Sequence, residues 1–524
     1  MKLTEGWTGR TACALQKASG LSNEAFAERL GIAARTVGSW HEKPDLVQQS
    51  AMQAILDTAL DQASPAAKER FAQLVPEAVS VQPSANIDHH AEDRLSADPN
   101  ISAALDWLDR HADWTPGTAR RRVTAHLAGL DIRELRDRGA ERGRVNQRDI
   151  AQALAEYYRD QAESYGRYGA RYGDSAAHTS ILTRPDWLDL DCPLIAANDR
   201  LAVTSSPADA GIFLDAESAE YAVRRLATTL ALGVRLIDMP LYHLLDVALD
   251  GGRIGGRLAV TRFVAYALTM DLLEGELIDA LATGQEPRPG SLPLRDRYLP
   301  DLASVLDTSA RVCAGGTLAL CAIARPADPY RGEADYLLLI QERSGHVLNA
   351  ARQLAVIPKG FHQPMTDWRS DAKLSATLRR EMEEELFGRD DIDNTVADQR
   401  TADPMHPSRH SEPMRWLMTD PSRLRVECTG FGLNLVSGNY EFPALIVIDD
   451  EEFWPGFGGQ VAANWEAAGL RQYSSLDGEL LAELANDVAW SNEGLFALLQ
   501  GLRRLRQIGG NRVNLPTIDW EIEQ

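Results

Sequence analysis

Apolar positions recur with helical spacing near the start of the chain. Phe26, Ala27 and Leu30 lie at i, i+1 and i+4, on one face of a helix. Gly31 follows, where a tight turn needs a residue that tolerates positive φ. Ile32, Val37 and Trp40 mark the apolar face of a second helix, and flanking helices are expected near residues 11–18 and 47–63. Residues 76–100 collect Pro76, Pro83, Ser84, Asn86 and Pro99 and read as a linker; its adjacent His89 and His90 read as solvated. Helical patterning resumes at 101–108 and 145–158, with a further start at Thr115-Pro116. The Tyr/Gly/Arg-rich stretch 164–173 reads as a surface loop. Residues 180–290 mix strand-like runs at 180–182 and 200–204 with helices near 216–232 and 260–281. The glycine-rich stretch 251–256 follows a helix-like run, so it lacks the strand–loop–helix context of a phosphate cradle and reads as a loop. Beyond residue 301 the pattern changes. Continuous apolar runs at 317–324, 336–341, 354–357, 429–436 and 444–448 read as strands, with helices at 375–387 and 477–507.

This order predicts a multidomain α+β chain: a helical domain at 1–75, a linker at 76–100, a mainly helical middle region at 101–300 and an α/β domain at 301–524. The formal charge of −22 excludes a generic polyanion binder. No run of apolar residues is long enough for a membrane span, and the N-terminus lacks the apolar core of a signal peptide. The 5 cysteines are scattered without a CxxC pair, so reduced thiols and a cytoplasmic location are expected.

Helices joined by so short a turn suit insertion of the second helix into the DNA major groove. Residues 9–60 resemble the helix-turn-helix of the phage-repressor class of bacterial regulators, with Ala27, Gly31, Val37 and Trp40 at the matching positions. The resemblance implies double-stranded DNA as a partner, with Arg35, Thr36, Ser39 and His41 facing it. It also implies a homodimer reading two half-sites. Residues 1–75 hold similar numbers of acids and bases, so one unit alone should bind weakly. The arginines from Arg120 to Arg148 are a second source of positive charge, although Glu134, Asp137 and Glu141 are interleaved and favour a solvated helical surface.

The chemically loaded segment is Arg380-Glu-Met-Glu-Glu-Glu385. At α-helical pitch Glu381, Glu384 and Glu385 share one face, where like charges repel unless something positive lies among them. A Mg²⁺ or Mn²⁺ ion suits such carboxylates, could bridge a diphosphate and could activate a water. The segment resembles the Nudix signature, G-x5-E-x7-R-E-U-x-E-E-x-G-U with U apolar. Gly360 stands as the opening glycine, and Arg380, Glu381, Met382, Glu384 and Glu385 match the core in order. The resemblance implies an α/β/α sandwich over roughly 310–500 and a nucleoside diphosphate-linked ligand. It further implies a divalent ion on Glu381, Glu384 and Glu385, with Glu384 and Glu385 catalytic. Lys359 and Gly360 are candidate ligand contacts, and Arg380 reads as a structural ion pair.

The frame departs from the family. Nineteen residues separate Gly360 from Arg380 where the signature has thirteen; no glutamate lies at 361–374, where Asp367 or Asp371 is the candidate substitute; and Phe387 stands where glycine is expected. The preferred expectation is therefore a transcriptional regulator whose Nudix-like domain senses a nucleotide-derived small molecule. In it the middle region mediates dimerisation or relays the signal. The alternative is a Mg²⁺-dependent hydrolase of nucleoside diphosphate-linked substrates with an accessory DNA-binding unit.

Overall fold

The structure, a computed structural model, describes residues 7–19, 21–30, 32, 34–44, 50–61, 71, 74, 95, 98–159, 164–207, 212–234, 236–343, 353–389, 405–461 and 467–523. Gly31, His89, His90 and nearly all of the expected linker lie outside the described residues. The chain is mixed α/β and divides into two compact units, Met1–His89 and His90–Gln524.

The first unit contains helices α1 (Gly9–Ser19), α2 (Asn23–Leu30), α3 (Ala34–Glu42) and α4 (Ser50–Asp61). They enclose a core of Trp7, Leu15, Phe26, Ala27, Leu30, Val37, Trp40, Leu56 and Leu60. Ala27 must be small because α2 and α3 meet there, while the Phe26 and Trp40 rings pack edge-on at 6.4 Å. A side chain at Gly9 would meet the Trp40 carbonyl oxygen at 2.8 Å, so the glycine lets α1 approach the end of α3.

The second unit opens with helices α5 (Pro99–His111), α6 (Thr118–Ala128), α7 (Ile132–Arg142) and α8 (Gln147–Tyr157). Asp98 caps α5 by accepting from the Asn100 N–H. Strands β1 (Gly166–Tyr172), β2 (Ser175–Thr183), β3 (Leu188–Pro193), β4 (Asp199–Pro207), β5 (Pro240–Asp250) and β6 (Arg253–Arg262) follow, with helices α9 (Ala216–Ala231) and α10 (Leu272–Ala282). Helix still outweighs strand in the region 101–300, but its strands are more extensive than the short runs expected at 180–182 and 200–204. Residues 164–173 supply β1 rather than a surface loop, with Tyr168, Ala170 and Tyr172 buried. The run before Gly251 is also a strand. Gly251 and Gly252 form its hairpin turn at φ 52 and 75, a conformation that favours glycine.

The later strands are β7 (Gly315–Arg325), β8 (Asp335–Arg343), β9 (Leu354–Val356), β10 (Lys359–Phe361), β11 (Leu424–Gly430), β12 (Gly432–Asn434), β13 (Tyr440–Ile448), β14 (Ala467–Ser474) and β15 (Ile518–Glu523). They combine with earlier strands in one sheet of order β14-β8-β7-β13-β12-β2-β1-β15, in which β3 pairs with β11 and β10 with β7. Only the β7–β13 pair is parallel among the described pairings of this sheet. The expected boundary at 300/301 is therefore not a boundary between folded bodies. β4, β6 and β5 form a separate three-stranded sheet. Two further helices frame the candidate carboxylates, α11 (Leu374–Glu381) and the long α12 (Asn492–Ile508). Gly501 lets α12 press against β7, since a Cβ there would stand 2.7 Å from that of Leu320. Among the described residues, no helix is long and apolar enough to cross a membrane.

Candidate functional sites

In the first unit, α3 buries Val37 and Trp40 and turns Arg35 and Ser39 outward, with Thr36 half-buried between them. Positions 35, 36 and 39 share a face by helical geometry. Ser39 Oγ donates to the Thr36 carbonyl at 2.7 Å. His41 is exposed but lies about 200° around the helix from Ser39 at 100° per residue. Its Nε2 is 3.1 Å from Gln16 Oε1, which joins it to α1. Gln16, buried, also donates to Asn23 Oδ1 at 2.7 Å and to the Leu21 carbonyl at 3.2 Å. That glutamine ties three helices together, a role the apolar spacing did not reveal.

In the second unit, Lys359, Gly360, Glu381, Glu384 and Glu385 come together. Antiparallel pairing with β7 places Lys359 and Gly360, with Gly360 opposite Thr317. A Cβ on Gly360 would stand 2.0 Å from Glu381 Oε1, so this position must be bare for the carboxylate to lie against the strand. The Lys359 backbone N–H donates to Glu385 Oε2 at 2.6 Å. Its ammonium contacts Glu493 Oε1 at 2.6 Å, bringing in the first turn of α12. Asn434 Nδ2 adds a longer contact to Glu493 Oε2 at 3.4 Å.

Arg380 is buried beside this cluster. It bonds Glu381, donates to the Phe361 carbonyl at 3.1 Å and stands 4.0 Å from Glu384. Burial disfavours its charge, yet Glu381 and Glu384 raise its pKa above the ordinary arginine value. Its role is the ion pair expected from the sequence. The helix does not keep α pitch through the glutamates. Met382–Leu386 forms a π-helical turn, closed by the Phe387 N–H donating to the Met382 carbonyl at 3.1 Å. The i→i+5 spacing changes the angles between side chains, yet Glu381 and Glu384 both reach Arg380 and Glu385 reaches the Lys359 N–H, so the three carboxylates are held by separate partners around β10. Glu383 instead accepts from the Ser411 N–H at 3.0 Å. Among the described residues, no three His, Cys, Asp or Glu side chains are arranged to hold a metal ion.

Carboxylates from distant segments complete the electrostatics. Burial and the Glu493 charge push Glu441 up to about 8, against the opposing pull of Lys359. Burial, Asp271 and Glu493 push Glu274 up to about 8. Burial also works against the Glu493 charge, but Lys359 overrides it and holds that carboxyl below its ordinary value. These three were missed. The available signal was a glutamate inside the apolar run Tyr440–Ile448, since a charge in a buried strand needs a reason.

Other candidates stand apart from this cluster's contacts. Asp371 accepts from the N–H groups of Met365 and Asp367, and Asp367 from that of Arg369, so both acids build their own loop. Arg142 pairs with Asp279, Arg122 lies 3.7 Å from Glu220 and Arg148 donates to the Asn486 carbonyl at 3.0 Å. The basic stretch is thus partly committed within the unit. Compared with known proteins, the chain matches no protein-family model and no curated protein.

Proposed function

We propose that the protein is a DNA-binding transcriptional regulator. The first unit is its helix-turn-helix domain, and residues 301–524 of the second unit are a Nudix-like small-molecule binding module. The observation that carries the reading is the division of α3 into two faces. Val37 and Trp40 are buried against the core while Arg35 and Ser39 face outward, as a recognition helix requires. His41, bonded to Gln16, is assigned to holding α3 on α1. With a net charge of −22, the chain gains little from phosphate attraction. A homodimer reading two half-sites belongs to the proposal for that reason.

The test is selection of bound sequences from a random duplex pool, followed by anisotropy titrations at fixed salt. Arg35→Ala is expected to weaken the selected site by about 1–3 kcal/mol if Arg35 reads a guanine. Equal affinity of the wild type for selected and scrambled duplexes would sink the regulator reading. The rival, a Mg²⁺-dependent hydrolase, needs Glu381, Glu384 and Glu385 to converge on one cation. Among the described residues no three carboxylates are arranged to hold a metal ion, and that favours the regulator reading.

A further inference from the structure

We infer that the Lys359 ammonium takes the place of the divalent cation in the carboxylate cluster, so that the second unit binds its ligand without Mg²⁺ or Mn²⁺. This rests on reading that unit as a binding module. The argument is one of charge and geometry. Lys359 serves two carboxylates from different elements, Glu385 through its backbone N–H at 2.6 Å and Glu493 through its ammonium at 2.6 Å. The Lys359 and Glu493 side chains are only 18% and 12% exposed. Arg380 supplies the neighbouring Glu381 and Glu384 with positive charge. Arg380 thus offsets Glu381 and Glu384 and the Lys359 ammonium offsets Glu493, while Glu385 is held by a backbone N–H.

A metal entering here would draw Glu493 away from a buried ammonium, and separating a buried pair leaves an uncompensated charge. Mg²⁺ would also have to shed water to reach carboxylates already held by Arg380 and by the Lys359 N–H. A diphosphate has no bridging ion in such a cluster and meets carboxylate charge instead. The chemistry suits a neutral or cationic ligand.

Mn²⁺ titration of the full-length protein, followed by the electron paramagnetic resonance signal of free Mn²⁺, tests this directly. The wild type is expected to show no saturable binding through the millimolar range. Lys359→Met, shown to be folded by circular dichroism, is expected to acquire a saturable site, because it leaves Glu493 without its ammonium. Saturable submillimolar binding by the wild type, lost in Glu384→Gln, would overturn the inference whether or not the Lys359 variant folds. A folded Lys359→Met protein that stays blind to Mn²⁺ would overturn it as well. Failure of the DNA selection would sink the regulator reading and leave this titration standing, so the two failures are distinguishable.

Discussion

Glu441 shows what a single buried carboxyl does to the stability of the second unit. It sits on β13, buried, with its pKa pushed up to about 8 by burial and by Glu493. In the unfolded chain the same group ionises near 4.3. Between those values the unfolded state has released a proton that the folded state keeps. Folding stability therefore falls as the pH rises through this window, and is level again above it. Replacing Glu441 with glutamine removes the ionisable group and its repulsion with Glu493. The variant is expected to be more stable than the wild type at pH 8.5, by about 1–4 kcal/mol. The advantage should shrink toward pH 5. Thermal melts across that range check the sign, and a Glu441→Gln protein that gains nothing at high pH would remove Glu441 from the charged cluster.

At the scale of the element, two glycines set the position of β10. The space beside Gly360 is filled by the end of the Glu381 side chain, whereas a Cβ on Gly316 would meet the Gly360 carbonyl oxygen at 2.1 Å. A side chain can swing aside more readily than a paired backbone can retreat. Gly360→Ala is thus expected to lose about 1–3 kcal/mol, and Gly316→Ala more than that. Urea denaturation ranks the two, and the reverse order would mean that β10 can move away from β7 more easily than the Glu381 side chain can move. These constraints are invisible in a linear pattern, while other elements were plain in it. β7 and the 444–448 part of β13 read correctly as strands because they are buried and their apolar runs are nearly continuous. β5 read as helix-like because a register shift between Leu244 and Asp246 disrupts its alternation. β1 read as a loop because its glycines looked like turn residues. They instead admit the neighbouring β15, since a Cβ on Gly166 would meet the Glu523 carbonyl oxygen at 2.4 Å. The motif residues around Gly360 were legible as a group, but the π turn was not, because spacing arguments assume 3.6 residues per turn.

Across the whole molecule, the long sheet decides what can fold independently. β15, at the end of the chain, pairs with β1 over six register positions from Arg167↔Glu523 to Tyr172↔Ile518. β12 pairs with β2, and β11 with β3. A cut at residue 300 would strip β15, β12 and β11 of these partners and expose edges that water and other chains would compete for. It would also uncover the core shared by Tyr168, Ile181, Phe496 and Leu499. Each buried side chain of this size contributes about 1.5–3 kcal/mol by leaving water, so the loss is comparable with the net stability of an ordinary domain. The fragment 90–524 keeps every one of these pairings and is expected to melt cooperatively. The fragment 301–524 is expected to be aggregated or to lack a cooperative transition. Differential scanning calorimetry of the two decides the matter. A sharp, reversible transition from 301–524 alone would restore the boundary suggested by the change of pattern near residue 301, and would make β1, β2 and β3 accessories to a sheet that forms without them.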